Sequence, residues 1–113
     1  MSVINGSDSN AVQIKPSAEG GFLVSGVLTF ETAPSAWQSS VTLLGALPNG
    51  GEDITFDLQG VSHTDSAGLA LLVEWMRTAR AQKKHITFKN LPPQMLAIAT
   101  VSGLENILPI QSP

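Results

Sequence analysis

Strand-like and helix-like segments alternate along this chain, and that order limits the fold more than any other feature. Residues 22–29, 54–58 and 85–89 are short, apolar and rich in residues that favour β-strands. A helix-like segment separates each consecutive pair. A strand–helix–strand connection makes its two strands parallel and its crossover right-handed. We therefore expect an α/β domain whose sheet is parallel across these three strands.

An antiparallel hairpin is expected at the N-terminal side of this pattern. Residues 11–15 alternate weakly and stop at Pro16, which suits an edge strand, and residues 17–21 form a turn. Residues 107–110 could add a last short strand. The predicted order is ββαβαβα, with a mixed sheet of four to five strands. The fixed handedness of the crossovers places the helices mainly on one face.

The first two helices have recognisable starts and apolar stripes. Thr32 is predicted to cap the first, with Pro34 in its first turn. Its stripe at helical spacing is Trp37, Val41 and Leu44. The second helix is expected over about residues 66–82, and its buried stripe is predicted to be Leu69, Leu72, Val73 and Met76. Leu71 and Trp75 lie beside that stripe, so either the core or an interface could take them.

The third helix is bounded by proline and glycine. Pro92 and Pro93 open it, and Gly103 stands where a left-handed residue commonly ends a helix, followed by Leu104 as its apolar contact. These residues predict a helix that ends at about Ser102.

Length, cysteine content and charge restrict the class of protein. With 113 residues and no cysteine, the chain suits one domain with neither disulfides nor thiolate metal ligands. A net charge of −3, without a basic patch, makes nucleic acid an unexpected partner. Residues 1–10 are polar and predict a flexible tail before a domain at residues 11–113. We expect a cytoplasmic protein, because neither a signal peptide nor a membrane-spanning run is recognisable.

The densest chemical signal is the polar segment that leads into the second helix. Either Asp65 or Ser66 can accept from the free N–H groups of the first turn. A hydroxyl at that position is also well placed for regulation by phosphorylation, although a phosphate on Ser66 would be repelled by Asp65. Capping is therefore the structural interpretation, and a phosphorylation switch at Ser66 is the functional one.

Enzyme and metal sites fit this segment poorly. Asp57, His63 and Ser66 have the residue types of a serine hydrolase, but there is no Gly-x-Ser-x-Gly turn, and His63 lies too close to Ser66 in sequence. His63 and His85 lack the spacing of metal ligands. No cofactor, metal or catalytic residue is predicted.

Two motifs resemble the STAS domain family over about residues 11–110. Residues 26–29, Gly-Val-Leu-Thr, with residues 32–34, Thr-Ala-Pro, resemble its first signature, although Val27 and Thr29 replace the usual glutamate and aspartate. Residues 57–61, Asp-Leu-Gln-Gly-Val, and 65–69, Asp-Ser-Ala-Gly-Leu, resemble its second. The later part of the chain is most similar to the MlaB branch, the STAS subunits of Mla-type phospholipid ABC transporters.

The resemblance implies a non-catalytic protein that works by docking. In the MlaB branch the partner is the cytoplasmic ATPase of a transporter that maintains outer-membrane lipid asymmetry, so the chain would lie peripheral to the inner membrane. In the alternative, the chain is an anti-sigma-factor antagonist, and a partner kinase switches it at Ser66. Wheel positions extend the expected contact along the second helix and onto residues 92–96 of the third. The predicted partner-binding residues are Asp65, Ser66, Ala67, Gly68, Ala70, Leu71 and Glu74.

Overall fold

Four strands form one mixed sheet in the order β1-β2-β3-β4, as the sequence predicts. The computed structural model describes residues 11–18, 20–47 and 53–111. Antiparallel β1 (Val12–Pro16) and β2 (Phe22–Leu28) make the hairpin, while β3 (Ile54–Thr64) runs parallel to both β2 and β4 (Ile86–Lys89). The predicted tail at residues 1–10 lies outside the described residues.

Strand β3 is longer than its sequence suggests. The apolar alternation stops at Leu58, but pairing with β2 continues to Thr64 through register shifts. Gly60 permits this continuation, because a Cβ there would lie 2.7 Å from the Cβ of Ser25. The polar segment after Leu58 is therefore a bulged strand that leads directly into the next helix.

Three helices complete the predicted order: α1 (Ala33–Gly45), α2 (Ser66–Ala81) and α3 (Pro93–Val101). Helix α2 contacts both α1 and α3 as well as β3 and β4. Along β3, Ile54, Phe56 and Leu58 are buried while the intervening side chains are not, so one sheet face carries the core. This agrees with the expected placement of the helices mainly on one face.

Trp75 belongs to the core, which answers the question left open by the sequence. Its side chain is fully buried, and its ring centroid lies 4.6 Å from that of Phe56 and 6.5 Å from that of Phe88. Its Nε1–H donates to Ser40 Oγ at 2.6 Å, and Ser40 Oγ donates to the carbonyl of Trp37 at 2.7 Å. A polar position of α1 thus completes the apolar core.

The predicted stripe of α1 is therefore partly wrong. Its buried residues are Ala36, Ser40 and Leu44, whereas Trp37 is half-buried and Val41 is 43% exposed. The stripe is rotated because Ser40 faces Trp75.

Helix α2 buries a wider arc than predicted, because it packs between two neighbouring helices. Leu69, Leu72 and Met76 are buried as expected, and Val73 is half-buried. The other buried residues are Gly68, Leu71, Trp75 and Ala79.

The C-terminal segment ends α3 as predicted and then touches the sheet. Gly103 has a φ of +75°, and the Leu104 N–H donates to the carbonyl of Ala99 at 2.8 Å, which completes a Schellman motif. Ile110 then forms a single parallel bridge with Phe88. The possible fifth strand is thus one bridge at the outer edge of β4.

Candidate partner-binding site

Asp65 is the N-cap of α2, which settles the choice between Asp65 and Ser66. Asp65 Oδ1 accepts from the backbone N–H of Ala67 at 2.8 Å and, more weakly, from that of Gly68 at 3.4 Å. Ser66 is the first helical residue and is exposed. A negative charge at this end also suits the helix dipole. The cap therefore leaves the Ser66 hydroxyl at the surface.

The second oxygen of the same carboxylate holds the loop between β2 and α1. Asp65 Oδ2 accepts from the backbone N–H of Phe30 at 3.0 Å, across 35 positions of sequence. Thr32 tightens this loop as well: its Oγ1 donates to the carbonyl of Val27 at 2.6 Å and accepts from the N–H of Thr29 at 3.0 Å. Thr32 occupies the predicted N-cap position of α1, but its hydroxyl bonds to the loop and not to the helix.

Phe30 was missed by the sequence reasoning and is the largest exposed feature of this region. Its side chain is 78% exposed. The sequence feature that could have indicated Phe30 is its position outside both periodic segments, between the end of a strand and the start of a helix. Because the loop is fastened to Asp65, Phe30 lies next to the start of α2.

A shallow apolar groove runs between α1 and α2 beside this loop. It has a volume of about 540 Å³. Ala33, Pro34 and Trp37 line it from α1, with Phe30 at its rim. Ala67, Ala70, Leu71 and Glu74 line it from α2, and these are four of the seven residues predicted to bind a partner. Leu71 is only 5% exposed, so it contributes a small part of the groove floor.

Gly68 supports the site from below and does not present a surface. It is buried, and a Cβ there would meet the Thr64 hydroxyl, lie 2.6 Å from the carbonyl oxygen of Leu28, and lie 3.3 Å from Cε of Met95. Glycine is needed because α2 starts against the end of β2. Gly68 stays a predicted partner-binding residue, and the role that its geometry shows is to let α2 start close to the end of β2.

The expected extension of the contact onto residues 92–96 of the third helix stays a prediction. Met95, in the predicted segment 92–96, is fully buried and packs towards Gly68. Leu96 is 41% exposed and lines a separate cavity with Lys89 and Glu105. Helix α1 supplies the second wall of the groove, and α3 braces the start of α2.

Acidic groups dominate the charge near the groove. Glu74 lies in its lining, and Glu31 and Asp65 line an adjoining cavity of about 450 Å³ that also includes Phe30 and His63. Arg77 Nη1 lies 3.7 Å from Glu74 Oε1, with the two side chains 71% and 46% exposed. An ion pair this exposed contributes little stability.

The candidate hydrolase residues have other partners. Asp57 Oδ1 accepts from the Gln59 N–H at 2.9 Å and from Asn90 Nδ2 at 3.0 Å. His63 Nδ1 lies 3.4 Å from Ser62 Oγ. Among the described residues, His, Cys, Asp and Glu side chains do not gather in threes at a place where a metal ion could bind. None of the described helices combines the length and the apolar character of a membrane span.

Solved structures of bacterial regulators share this fold. The anti-sigma factor antagonist SpoIIAA in its unphosphorylated form matches with a TM-score of 0.66 at 18% identity, over 89% of this chain and 88% of that chain. An anti-sigma factor antagonist from Mycobacterium paratuberculosis matches with a TM-score of 0.69 at 19% identity, over 90% and 85%. At these identities the likeness defines the fold class alone.

Two further matches identify the family. The family model described as "Mlab, STAS domain" matches residues 15–109. A chain of the Acinetobacter MlaFEDB complex in its ATP-bound Vtrans2 conformation is 30% identical, with a TM-score of 0.68 over 80% of this chain and 93% of that chain. The chain belongs to the MlaB-type STAS domain family. A comparison with curated protein sequences gave no match.

Proposed function

We propose that this chain is a non-catalytic STAS subunit that binds the ATPase of an ABC-type phospholipid transporter. The observation that carries the proposal is the 30% identity to a chain of the MlaFEDB complex, spread over 93% of that chain. The protein would lie at the cytoplasmic side of the inner membrane through its partner. Its role would be to support a transporter that maintains outer-membrane lipid asymmetry.

The geometry near Asp65 supports docking. An exposed aromatic ring, an apolar groove and an exposed hydroxyl lie together at one end of α2. Aromatic residues are enriched at protein interfaces, and the core of an interface is more apolar than the rest of the surface. The candidate acid and base side chains, Asp57 and His63, bond to other neighbours, as described above.

Affinity purification from native membranes tests this function. The tagged chain, expressed at its natural level, is expected to recover a transporter ATPase and its membrane subunits in a complex that stays intact in the presence of nucleotide. Recovery of an anti-sigma kinase without any transporter ATPase would reject the proposal. Val101→Ala is a suitable control variant, because Val101 is 89% exposed on α3, away from the groove lining.

The exposure of Ser66 at the start of α2 favours one alternative, an anti-sigma-factor antagonist switched by phosphorylation. Under this function a kinase would modify the hydroxyl, and the added charge beside Asp65 would release the partner. Mass spectrometry of the protein from its own cells distinguishes the two functions, since stoichiometric phosphorylation of Ser66 is expected only in the alternative.

A further inference from the structure

Phe30 has the properties of a prearranged contact residue. Its side chain is 78% exposed while its backbone N–H is held by Asp65 at 3.0 Å. The hydrogen bonds of Thr32 close the same loop. A loop whose backbone is already fixed loses little further backbone freedom on binding, and aromatic residues account for much of the energy of protein interfaces.

The groove beside Phe30 has room for a large apolar side chain. Ala33 on one wall faces Ala67 and Ala70 on the other, and these short side chains leave about 540 Å³ open between the helices. A groove between two helices is a common receptor for a third helix, which inserts one apolar face. The shape therefore suits a helical segment of a partner.

The charges around the groove favour basic residues beside the apolar face of that segment. Glu74 lies within the groove lining, and Glu31 and Asp65 lie beside Phe30. The nearby cation, Arg77, makes an exposed 3.7 Å contact with Glu74, and a partner cation can replace a contact this exposed at small cost. Complementary charge on a partner steers association and excludes wrong partners.

We infer that the groove between α1 and α2 receives a partner helix that inserts a large apolar side chain against Phe30 and sets an arginine or lysine against Glu74. The inference rests on the proposed function for the identity of the partner, the transporter ATPase. The chemistry of the bound segment follows from the groove alone. A second copy of this chain is the alternative occupant.

Site-specific photo-cross-linking in the protein's own cells tests separately which protein binds the groove and what chemistry the bound segment has. A benzophenone amino acid replaces Phe30, and a control replaces Gln59, an exposed residue of β3. We expect a cross-link at position 30 to a helical segment that combines large apolar residues with arginine or lysine. No cross-link at position 30, a cross-link to an acidic segment, or a cross-link to a second copy would overturn the inference.

The identity of the cross-linked protein tests the proposed function, and the chemistry of the cross-linked segment tests the inference. A basic, apolar helix from a protein other than a transporter ATPase would reject the proposed function and keep the inference. An acidic segment of the ATPase would keep the function and reject the inference.

Binding measurements with the cross-linked partner complete the test. Phe30→Ala is expected to weaken binding by at least about tenfold, as for other central aromatic residues. Glu74→Lys should weaken it by about tenfold, and reversing the partner's basic residue should restore much of the loss. Val101→Ala provides the control with an exposed apolar residue. Since Phe30 is largely exposed, its loss should leave the melting temperature nearly unchanged, and unchanged affinity for the folded Phe30→Ala protein would refute the inference.

Discussion

Replacing Gly68 with alanine tests the close packing that positions the start of α2. Inside a helix, alanine is favoured over glycine by about 1 kcal/mol, so helix propensity alone predicts a more stable protein. The new methyl group would lie 2.6 Å from the carbonyl oxygen of Leu28 and would also meet the Thr64 hydroxyl. The threonine can rotate away, but the backbone carbonyl at the end of β2 cannot.

The packing penalty is expected to exceed the gain in propensity. Overpacking a filled core costs about 1–3 kcal/mol, and a contact with fixed backbone places Gly68→Ala near the upper end. Subtracting about 1 kcal/mol of propensity leaves a net loss of about 2 kcal/mol. For a domain of this size, that loss lowers the melting temperature by roughly 8 °C.

Gly45→Ala is the matched control. Gly45 is also helical, at the end of α1, but a Cβ there meets nothing within 4 Å. This variant is expected to gain up to about 1 kcal/mol. Thermal and urea unfolding, followed by circular dichroism, should therefore give shifts of opposite sign. A Gly68→Ala protein as stable as the parent would show that α2 does not start against the end of β2 as described.

Three further predictions concern substitutions at Ser40, Ser66 and Asp65. Ser40→Ala should lower the free energy of unfolding by about 1–3 kcal/mol, because the buried Trp75 N–H loses its acceptor. In the same urea titration, Ser39→Ala, at an exposed position, should change the free energy of unfolding by less than about 0.5 kcal/mol. Ser66→Asp should weaken partner binding more than Ser66→Ala, and Ser66→Thr should be tolerated; equal affinities by calorimetry would remove Ser66 from the interface. Asp65→Asn retains one oxygen acceptor for the helix cap but cannot also accept from the Phe30 N–H with a second oxygen, so hydrogen exchange should become faster at Phe30 while α2 stays folded.

The sequence predicts those parts of the fold that local interactions determine. A helix cap at Asp65 or Ser66, the left-handed Gly103 and the order of strands and helices each depend on neighbouring residues or on the handedness of a crossover, and the structure then identifies Asp65 as the cap. The errors concern contacts between distant segments. Ser40 is buried because Trp75, 35 positions later, needs an acceptor, and this rotates the stripe of α1 away from Val41.

The candidate site divides in the same way. Ala70 and Glu74 could be placed on the same side of α2 as Ser66 from helical periodicity, and both line the groove. The opposite wall could not be placed, because no local pattern states that α1 approaches α2. Phe30 reaches the site through a hydrogen bond to Asp65 that spans 35 positions, so periodicity gives no sign of it. The motif that contains Gly68 gives no sign that the carbonyl of Leu28 lies behind it.

Asp65 connects the exposed aromatic ring of Phe30 with the exposed hydroxyl of Ser66. Its two carboxylate oxygens join the loop that carries Phe30 to the start of α2, so one residue helps to set both the groove's rim and the position of Ser66. A carboxylate at Ser66 would add like charge beside Asp65 and bulk at a packed contact, and this cost would compete with its attraction for a basic partner segment, whereas loss of the Phe30 ring would remove apolar contact alone. Salt screens interactions between exposed charges but leaves apolar contact largely intact. The weakening caused by Ser66→Asp should therefore vary with ionic strength, and that caused by Phe30→Ala should stay nearly constant; identical salt dependence for both would mean that the charge and the ring do not act on the partner separately.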